Sequence, residues 1–313
     1  MTIPDPLRLS GVIPPIVTPM LAADQVDGDA VGRITDHLIN GGVSGIFALG
    51  TTGEGPSLSY QMRYEMVEAV CQHTRRRIPV LVCVTDTCLA ESVWLAEHAA
   101  ANGATAIVAA APFYFDASQG ALFNWFTELA DRSPLPLLLY NMPGCVGLNL
   151  DLPLVIELSS HANIVGIKDS SGDLAYFANL CGRFAEQGDF AVFMGPEELL
   201  AEAVALGGSG GVCGGANLLP HIYSGLYRAA VAGQTAEIET FRETIDHVFQ
   251  QIYRDENGRM NLIPALKLAM EKFGLCNRTI APPLQRPNET HTRQIIDASI
   301  RLRSPENTAS GNR

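Results

Sequence analysis

Lys168 is one of only three lysines in the chain, with Lys267 and Lys272, among 21 cationic residues. It ends the apolar run Ile164-Val165-Gly166-Ile167 and precedes the turn-forming stretch Asp169-Ser170-Ser171-Gly172-Asp173. A β-branched run of that kind reads as a strand buried on both faces. An ammonium at its carboxyl end would be partly desolvated, which favours the neutral amine. A neutral amine in a dry pocket is the nucleophile that condenses with a carbonyl to a Schiff base. In isolation, a lysine that snorkels or pairs with Asp169 would look the same.

Other apolar runs end in residues with matching chemistry. Gly50-Thr51-Thr52-Gly53-Glu54-Gly55 joins glycines, which let a ligand approach the backbone, to two hydroxyls and successive amide N–H groups. Such a turn is an anion cradle, or else an ordinary Gly-rich turn. Tyr140-Asn141-Met142-Pro143-Gly144 offers a phenol that can donate and accept protons if its hydroxyl is placed. Pro112-Phe113-Tyr114 offers a second phenol, with simple packing as its alternative. A carboxylate-binding turn, two phenols and a lysine together suit carbinolamine formation and proton shuttling on a 2-keto acid.

These residues need a frame that gathers strand ends. Short β-rich runs recur at Val12–Thr18, Gly45–Leu49, Val80–Thr85, Ala106–Ala111, Leu135–Tyr140, Ile164–Lys168, Phe190–Met194 and Gly210–Gly214. Amphipathic stretches lie between them: Tyr60–Arg75, Leu89–Ala101, Gln119–Ala130, Leu152–Ser160, Leu174–Phe184 and Glu197–Leu206, with Leu219–Ala232 after the last. Eight strand–helix units predict an α/β fold, a (β/α)8 TIM barrel, whose chemistry sits at the carboxyl ends of the strands. A doubly wound sheet is the other architecture, but Val17-Thr18-Pro19-Met20 is no phosphate-binding turn. The barrel is expected over residues 1–233. A C-terminal helical appendage follows over 234–303, with helices at Ala236–Tyr253, Met260–Phe273 and Glu289–Leu302. Residues 304–313 have the composition of a disordered tail.

Composition limits the partners. With a net charge of −12, the chain suits neither nucleic acid nor an anionic membrane surface, and any anionic substrate must be held by local donors. No apolar run reaches the length of a membrane span, and Met1 to Ser10 lacks a signal-peptide pattern. Seven cysteines, an odd number without metal-ligand spacing, point to a reduced, cytoplasmic protein without structural metal. No histidine pairs with a Ser or Cys in a triad pattern, and Arg75-Arg76-Arg77 fits compensation of a helix C-terminus.

Taken together and in order, Gly50-Thr51-Thr52-Gly53-Glu54, Tyr140-Asn141-Met142-Pro143 and Gly166-Ile167-Lys168-Asp169-Ser170-Ser171-Gly172 resemble the dihydrodipicolinate synthase/N-acetylneuraminate lyase superfamily. The resemblance runs from Gly11 to about Phe273. It implies a class I, metal-independent pyruvate aldolase or relative, needing no cofactor and usually a homotetramer built as a dimer of dimers. Matched by position, Lys168 would form the Schiff base and Tyr140 would be the general acid/base. Thr51 and Thr52 would hold the carboxylate alongside Gly53. Thr52 would also link Tyr140 to Tyr114, which in such enzymes reaches in from a neighbouring subunit. Cys213, within Gly211-Val212-Cys213-Gly214-Gly215, falls where the family offers a backbone carbonyl to substrate.

Departures from the pattern narrow the substrate. Dihydrodipicolinate synthases carry an arginine two residues after the proline of the Tyr-Asn-x-Pro motif, where it grips a second carboxylate; this chain has Cys145. Cys145 lacks a basic partner in the sequence around it and reads as inert filling rather than a reactive thiol. Sialic acid lyases usually have Ser-Thr in the Gly-rich turn and an Asp-Glu pair after strand seven. Here Thr51-Thr52 and Glu197-Glu198 stand instead, with Glu198 the candidate for substrate hydroxyls or for plain helix-dipole complementation. The reading is therefore an aldolase or dehydratase of a 2-keto-3-deoxy sugar acid, working with pyruvate and an aldehyde partner. N-acetylneuraminate lyase, 4-hydroxy-tetrahydrodipicolinate synthase and a non-catalytic keto-acid-binding barrel are the alternatives.

Overall fold

A computed structural model describes residues 9–185 and 188–302. Eight parallel strands form its sheet: β1 (Gly11–Val12), β2 (Ile46–Ala48), β3 (Val80–Cys83), β4 (Ala106–Ala110), β5 (Leu137–Asn141), β6 (Ile164–Asp169), β7 (Ala191–Met194) and β8 (Gly210–Gly211). Each strand from β2 to β8 pairs with its neighbour in sequence, and β8 pairs with β1. The ring closes where Phe47 exchanges hydrogen bonds with the first segment, accepting from Ile16 N at 3.0 Å and donating to Pro14 O at 2.9 Å. The expected (β/α)8 barrel is thus the fold. The first strand is shorter than the predicted Val12–Thr18 because Pro14 and Pro15 carry no N–H for a continuous ladder.

Helices α1 (Gly28–Asn40), α2 (Tyr60–Thr74), α3 (Leu89–Ala101), α4 (Gln119–Arg132), α5 (Leu152–Leu158), α6 (Leu174–Phe184), α7 (Leu200–Ala205) and α8 (Pro220–Ala232) follow the strands in turn. Their starts are written in the sequence: Asp27, Ser59, Ser118, Asp151 and Asp173 each accept a first-turn amide at α1, α2, α4, α5 and α6. Sequence periodicity did not single out α1, nor the hairpin Met20–Ala22/Gln25–Val26 before it. The predicted Glu197–Leu206 helix splits into a 3-10 turn, Glu197–Leu199, and α7, and the split turns Glu197 inward.

Beyond Gly233 come α9 (Thr235–Val248), a π-helical turn (Phe249–Tyr253), α10 (Leu262–Lys272) and α11 (Glu289–Leu302). Predicted helices Ala236–Tyr253 and Met260–Phe273 match α9 with its π-turn and α10, and Glu289–Leu302 matches α11. The tail expected over 304–313 lies outside the described residues. No helix among the described residues is long and apolar enough to cross a membrane.

Candidate active site

A cavity of about 340 Å³ opens at the carboxyl ends of the strands. Lys168 stands one residue before the end of β6 and Tyr140 one before the end of β5, and the two are register partners across the ladder. Both side chains therefore leave the same face of the sheet and point into the cavity, where both residues are buried. Lys168 Nζ lies 4.0 Å from the centroid of the Tyr140 ring and 5.2 Å from that of Phe47. The alternative partner, Asp169, is occupied elsewhere. Its carboxylate accepts from Asn141 Nδ2 at 2.9 Å, Ser171 N at 3.1 Å and Ser171 Oγ at 2.9 Å. Burial pushes the Asp169 carboxyl above its ordinary range, and those three donors oppose the shift.

The Gly-rich turn after β2 supplies the hydroxyls. Thr51 and Thr52 both line the cavity, and Thr51 Oγ1 sits 3.2 Å from Tyr140 Oη. The hydroxyl against Tyr140 is thus that of Thr51, not Thr52, because the turn points Thr52 toward Gly214 instead. Gly53 lies behind the cradle, its carbonyl accepting from Thr18 Oγ1 at 2.6 Å. A Cβ at Gly53 would stand 2.9 Å from Ile16 O, so that position requires glycine for close approach.

Glu197 and Glu198, after β7, both line the cavity, but only Glu197 is buried. Its carboxylate accepts from Gly215 N at 2.7 Å and from the Tyr223 hydroxyl at 2.8 Å. Burial raises its pKa above the ordinary 4.5, with the Gly215 and Tyr223 bonds opposing. Tyr223 and Tyr253 are buried beside it, and desolvation, then the charge of Glu197, pushes both phenols well up. The sequence pair Glu-Glu marked this spot; which member turns inward is decided by the 3-10 turn, a detail invisible to periodicity. Glu198 is the exposed member at the mouth.

The remaining expected residues are placed as follows. The Cys213 thiol is fully buried and pushed well up by burial, then by the charge of Glu197, while its neighbours Val212 and Gly214 line the cavity. Cys145 sits exposed on the short helix Pro143–Val146; desolvation of its sulfur raises the thiol, with Lys168 opposing. A raised thiol is a poor nucleophile, and Cys145 is not among the residues lining the cavity. Tyr114 does not reach the cavity of its own chain: it is 87% exposed, at φ 89°, packed edge-on against Phe115. Phe249, Leu262 and Ile263, all beyond Gly233, complete the wall. No motif marks them, because they are ordinary apolar residues whose place in the wall comes only from packing.

The arrangement is a buried amine beside a phenol, with a threonine hydroxyl against that phenol and a Gly-rich turn in the cavity wall. The chain belongs to the dihydrodipicolinate synthetase family, whose model matches residues 8–301. It is 28% identical over 297 residues to the 4-hydroxy-tetrahydrodipicolinate synthase of Gluconobacter oxydans, covering 95% of this chain and 97% of that protein. It is 30% identical to Escherichia coli YagE, provisionally named a 2-dehydro-3-deoxy-D-gluconate aldolase, over 94% of this chain and 98% of that protein. Among solved structures, a dihydrodipicolinate synthase from Bacteroides thetaiotaomicron superposes with a TM-score of 0.90 at 39% identity, covering 96% of this chain and all of that one (100%). YagE in complex with pyruvate superposes with a TM-score of 0.87 at 29% identity, covering 95% and 99%.

Proposed function

We propose that this chain is a class I aldolase or dehydratase of a 2-keto-3-deoxy sugar acid, working through a Schiff base on Lys168. The observation that carries the reading is the placement of Lys168 Nζ over the Tyr140 ring, inside a cavity whose other wall is the Thr51–Thr52 turn. In this reading the substrate carboxylate rests on the turn and Lys168 Nζ attacks the C2 carbonyl. Tyr140, with Thr51 relaying, protonates the departing hydroxyl, and water leaves to give the iminium. For an aldolase, the C4 hydroxyl loses its proton and the C3–C4 bond breaks, releasing an aldehyde and leaving an enamine. Protonation at C3 and hydrolysis then free pyruvate and the amine. For a dehydratase, the iminium of the intact substrate instead loses a C3 proton to give its own enamine, which expels the C4 hydroxyl, protonated as it departs, as water. Hydrolysis of the resulting unsaturated iminium frees the product and the amine. The lysine nitrogen is the electron sink throughout, so neither route calls on a metal or cofactor.

Cys145 supports a sugar acid over aspartate semialdehyde, because a thiol offers no charge for a second carboxylate. Glu197 and Glu198, both in the cavity lining, suit hydroxyls. The similarity to YagE points the same way, and that to the synthases keeps 4-hydroxy-tetrahydrodipicolinate synthase as the second reading.

The barrel, residues 1–233, carries this chemistry in our reading, and 234–303 act as a helical appendage that closes its wall. Tyr114, Phe113 and Phe115 form an exposed aromatic cluster suited to burial against a second copy. In a cytoplasmic homotetramer, Tyr114 would reach the Tyr140–Thr51 pair of the neighbouring subunit.

The test is borohydride reduction with pyruvate, followed by intact mass and peptide mapping. A reduced adduct on Lys168 is expected, and its absence with pyruvate and with larger 2-keto acids would leave the binding-barrel reading. An aldehyde screen with 2-keto-3-deoxy sugar acids, N-acetylneuraminate and aspartate semialdehyde then separates the lyase, dehydratase and synthase outcomes.

A further inference from the structure

Glu54 follows the Thr51-Thr52-Gly53 cradle directly, and its backbone sits in the left-handed region at φ 58° and ψ 18°. An L residue holds that conformation only when its surroundings fix it. What fixes it here lies far along the chain. Lys267, fully buried on α10, donates from Nζ to Glu54 Oε1 at 2.5 Å and to Thr279 O at 2.6 Å. Ala281 N donates to the other oxygen, Glu54 Oε2, at 2.7 Å. Both oxygens of a buried carboxylate are thus taken by the segment beyond Gly233, while the turn is closed on itself by Glu54 N to Thr51 O at 3.0 Å. The first turn of the same helix places Leu262 and Ile263 in the cavity wall.

A buried ion pair is an inefficient way to gain stability, since an apolar pair of similar volume serves as well or better. What the ion pair adds is direction: two fixed carboxylate oxygens set the orientation of Glu54, and so of the hydroxyls just before it. We propose that Lys267 is a positioning residue, which acts through Glu54 to aim the Thr51–Thr52 cradle at the substrate carboxylate. The C-terminal helices then belong to the catalytic apparatus and not only to its cover. This inference rests on the Schiff-base reading for its substrate.

The experiment compares wild type with the Glu54→Gln/Lys267→Met double variant, which removes both charges and so leaves neither buried alone. Two quantities are read: the pyruvate concentration that half-saturates borohydride trapping on Lys168, and amide hydrogen exchange of residues 50–55. We expect a cooperatively folded double variant whose half-saturation concentration rises roughly 10-fold or more, the scale of a lost hydrogen bond to a charged group. The maximal trapping rate should change far less, and exchange over 50–55 should quicken. A folded variant with unchanged half-saturation overturns the proposal. Should wild type trap no pyruvate, the Schiff-base reading fails by itself, and exchange over 50–55 alone decides: faster exchange supports the clamp and unchanged exchange overturns it. Should the double variant fail to fold, Glu54→Gln/Lys267→Gln, which likewise leaves no charge buried alone but keeps polar partners for Thr279 O and Ala281 N, is read by the same criteria.

Discussion

Tyr140 and Lys168 occupy partnered positions on adjacent parallel strands, with the amine 4.0 Å from the ring centroid. Their proximity is set by the ladder and not by a loop. The two Cα positions cannot drift apart without breaking backbone hydrogen bonds, so the amine and phenol start from a fixed spacing, as preorganised chemistry needs.

Lys168→Ala is expected to abolish both turnover and borohydride-trapped adduct. The melting temperature should stay within about 5 °C of wild type, because the substitution removes an amine from a cavity wall rather than packing from the core. Mass spectrometry after reduction checks the first point and thermal unfolding the second. Residual turnover in a pure preparation would rule out Lys168 as the nucleophile.

Tyr140→Phe keeps the ring under Lys168 but removes its hydroxyl. Imine formation should persist at a reduced rate, and overall turnover should fall by about 10²–10⁴-fold, the usual contribution of a general acid/base. Stopped-flow trapping against steady-state rates separates the two. Equal rates for variant and wild type would take Tyr140 out of the proton path.

Thr51 and Thr52 are distinguishable. Thr51→Val loses the hydroxyl 3.2 Å from Tyr140 Oη, worth about 1–3 kcal/mol if left unpaired, or roughly 5- to 150-fold in rate. Thr52→Val should act mainly on KM. Side-by-side kinetics would show this split, and the reverse pattern would return the relay to Thr52.

Glu197 makes stability depend on pH. Its folded-state pKa is raised above 4.5 by burial, so as pH rises the unfolded chain loses this proton first. The stability associated with Glu197 is complete below about pH 4.5 and is lost as pH climbs through the raised folded value. Glu197→Gln has no proton to lose, so its stability relative to wild type should improve across that window. Urea unfolding from pH 4 to 8 measures this, and a constant difference between the two proteins would contradict it.

Gly210 has φ +152°, and a Cβ there would stand 1.9 Å from Gly11 O, a backbone atom that cannot swing aside. Gly210→Ala should cost about 3 kcal/mol or more, or prevent folding, since it forces apart the β1–β8 pairing. By contrast, Gly182→Ala on α6 meets nothing within 4 Å and should be neutral or slightly stabilising. Denaturant midpoints for the pair would test the contrast.

The strand–helix alternation made the barrel legible, because runs such as Leu137–Asn141 and Ile164–Asp169 are buried on both faces and so read as continuous apolar segments. Lys168, Tyr140 and the Gly-rich turn were legible because each sits at the end of such a run. α1 escaped notice because Gly28 and Gly32 lower its helix propensity, although Ala30, Val31, Ile34 and Leu38 make a regular buried face. The inward turn of Glu197 depends on 3-10 geometry, and the Glu54–Lys267 pair joins positions no local pattern connects. Tyr114, 87% exposed, stands outside the cavity of its own chain, and no local pattern in the sequence carries that placement.

The order of pairing around the ring bears on how the chain folds. Seven of its junctions join segments adjacent in sequence, counting the Phe47 bridge to Pro14 and Ile16, and each can form as its strand–helix unit collapses. The eighth, Gly11 with Gly210 and Val12 with Gly211, spans nearly the whole barrel and rests on just these two residue pairs. Loop-closure entropy delays such a long-range contact until the intervening units are in place. The β1–β8 seam should therefore zip last, with the amides of Gly11 and Ile13 among the final ones protected in a pulse-labelled refolding experiment.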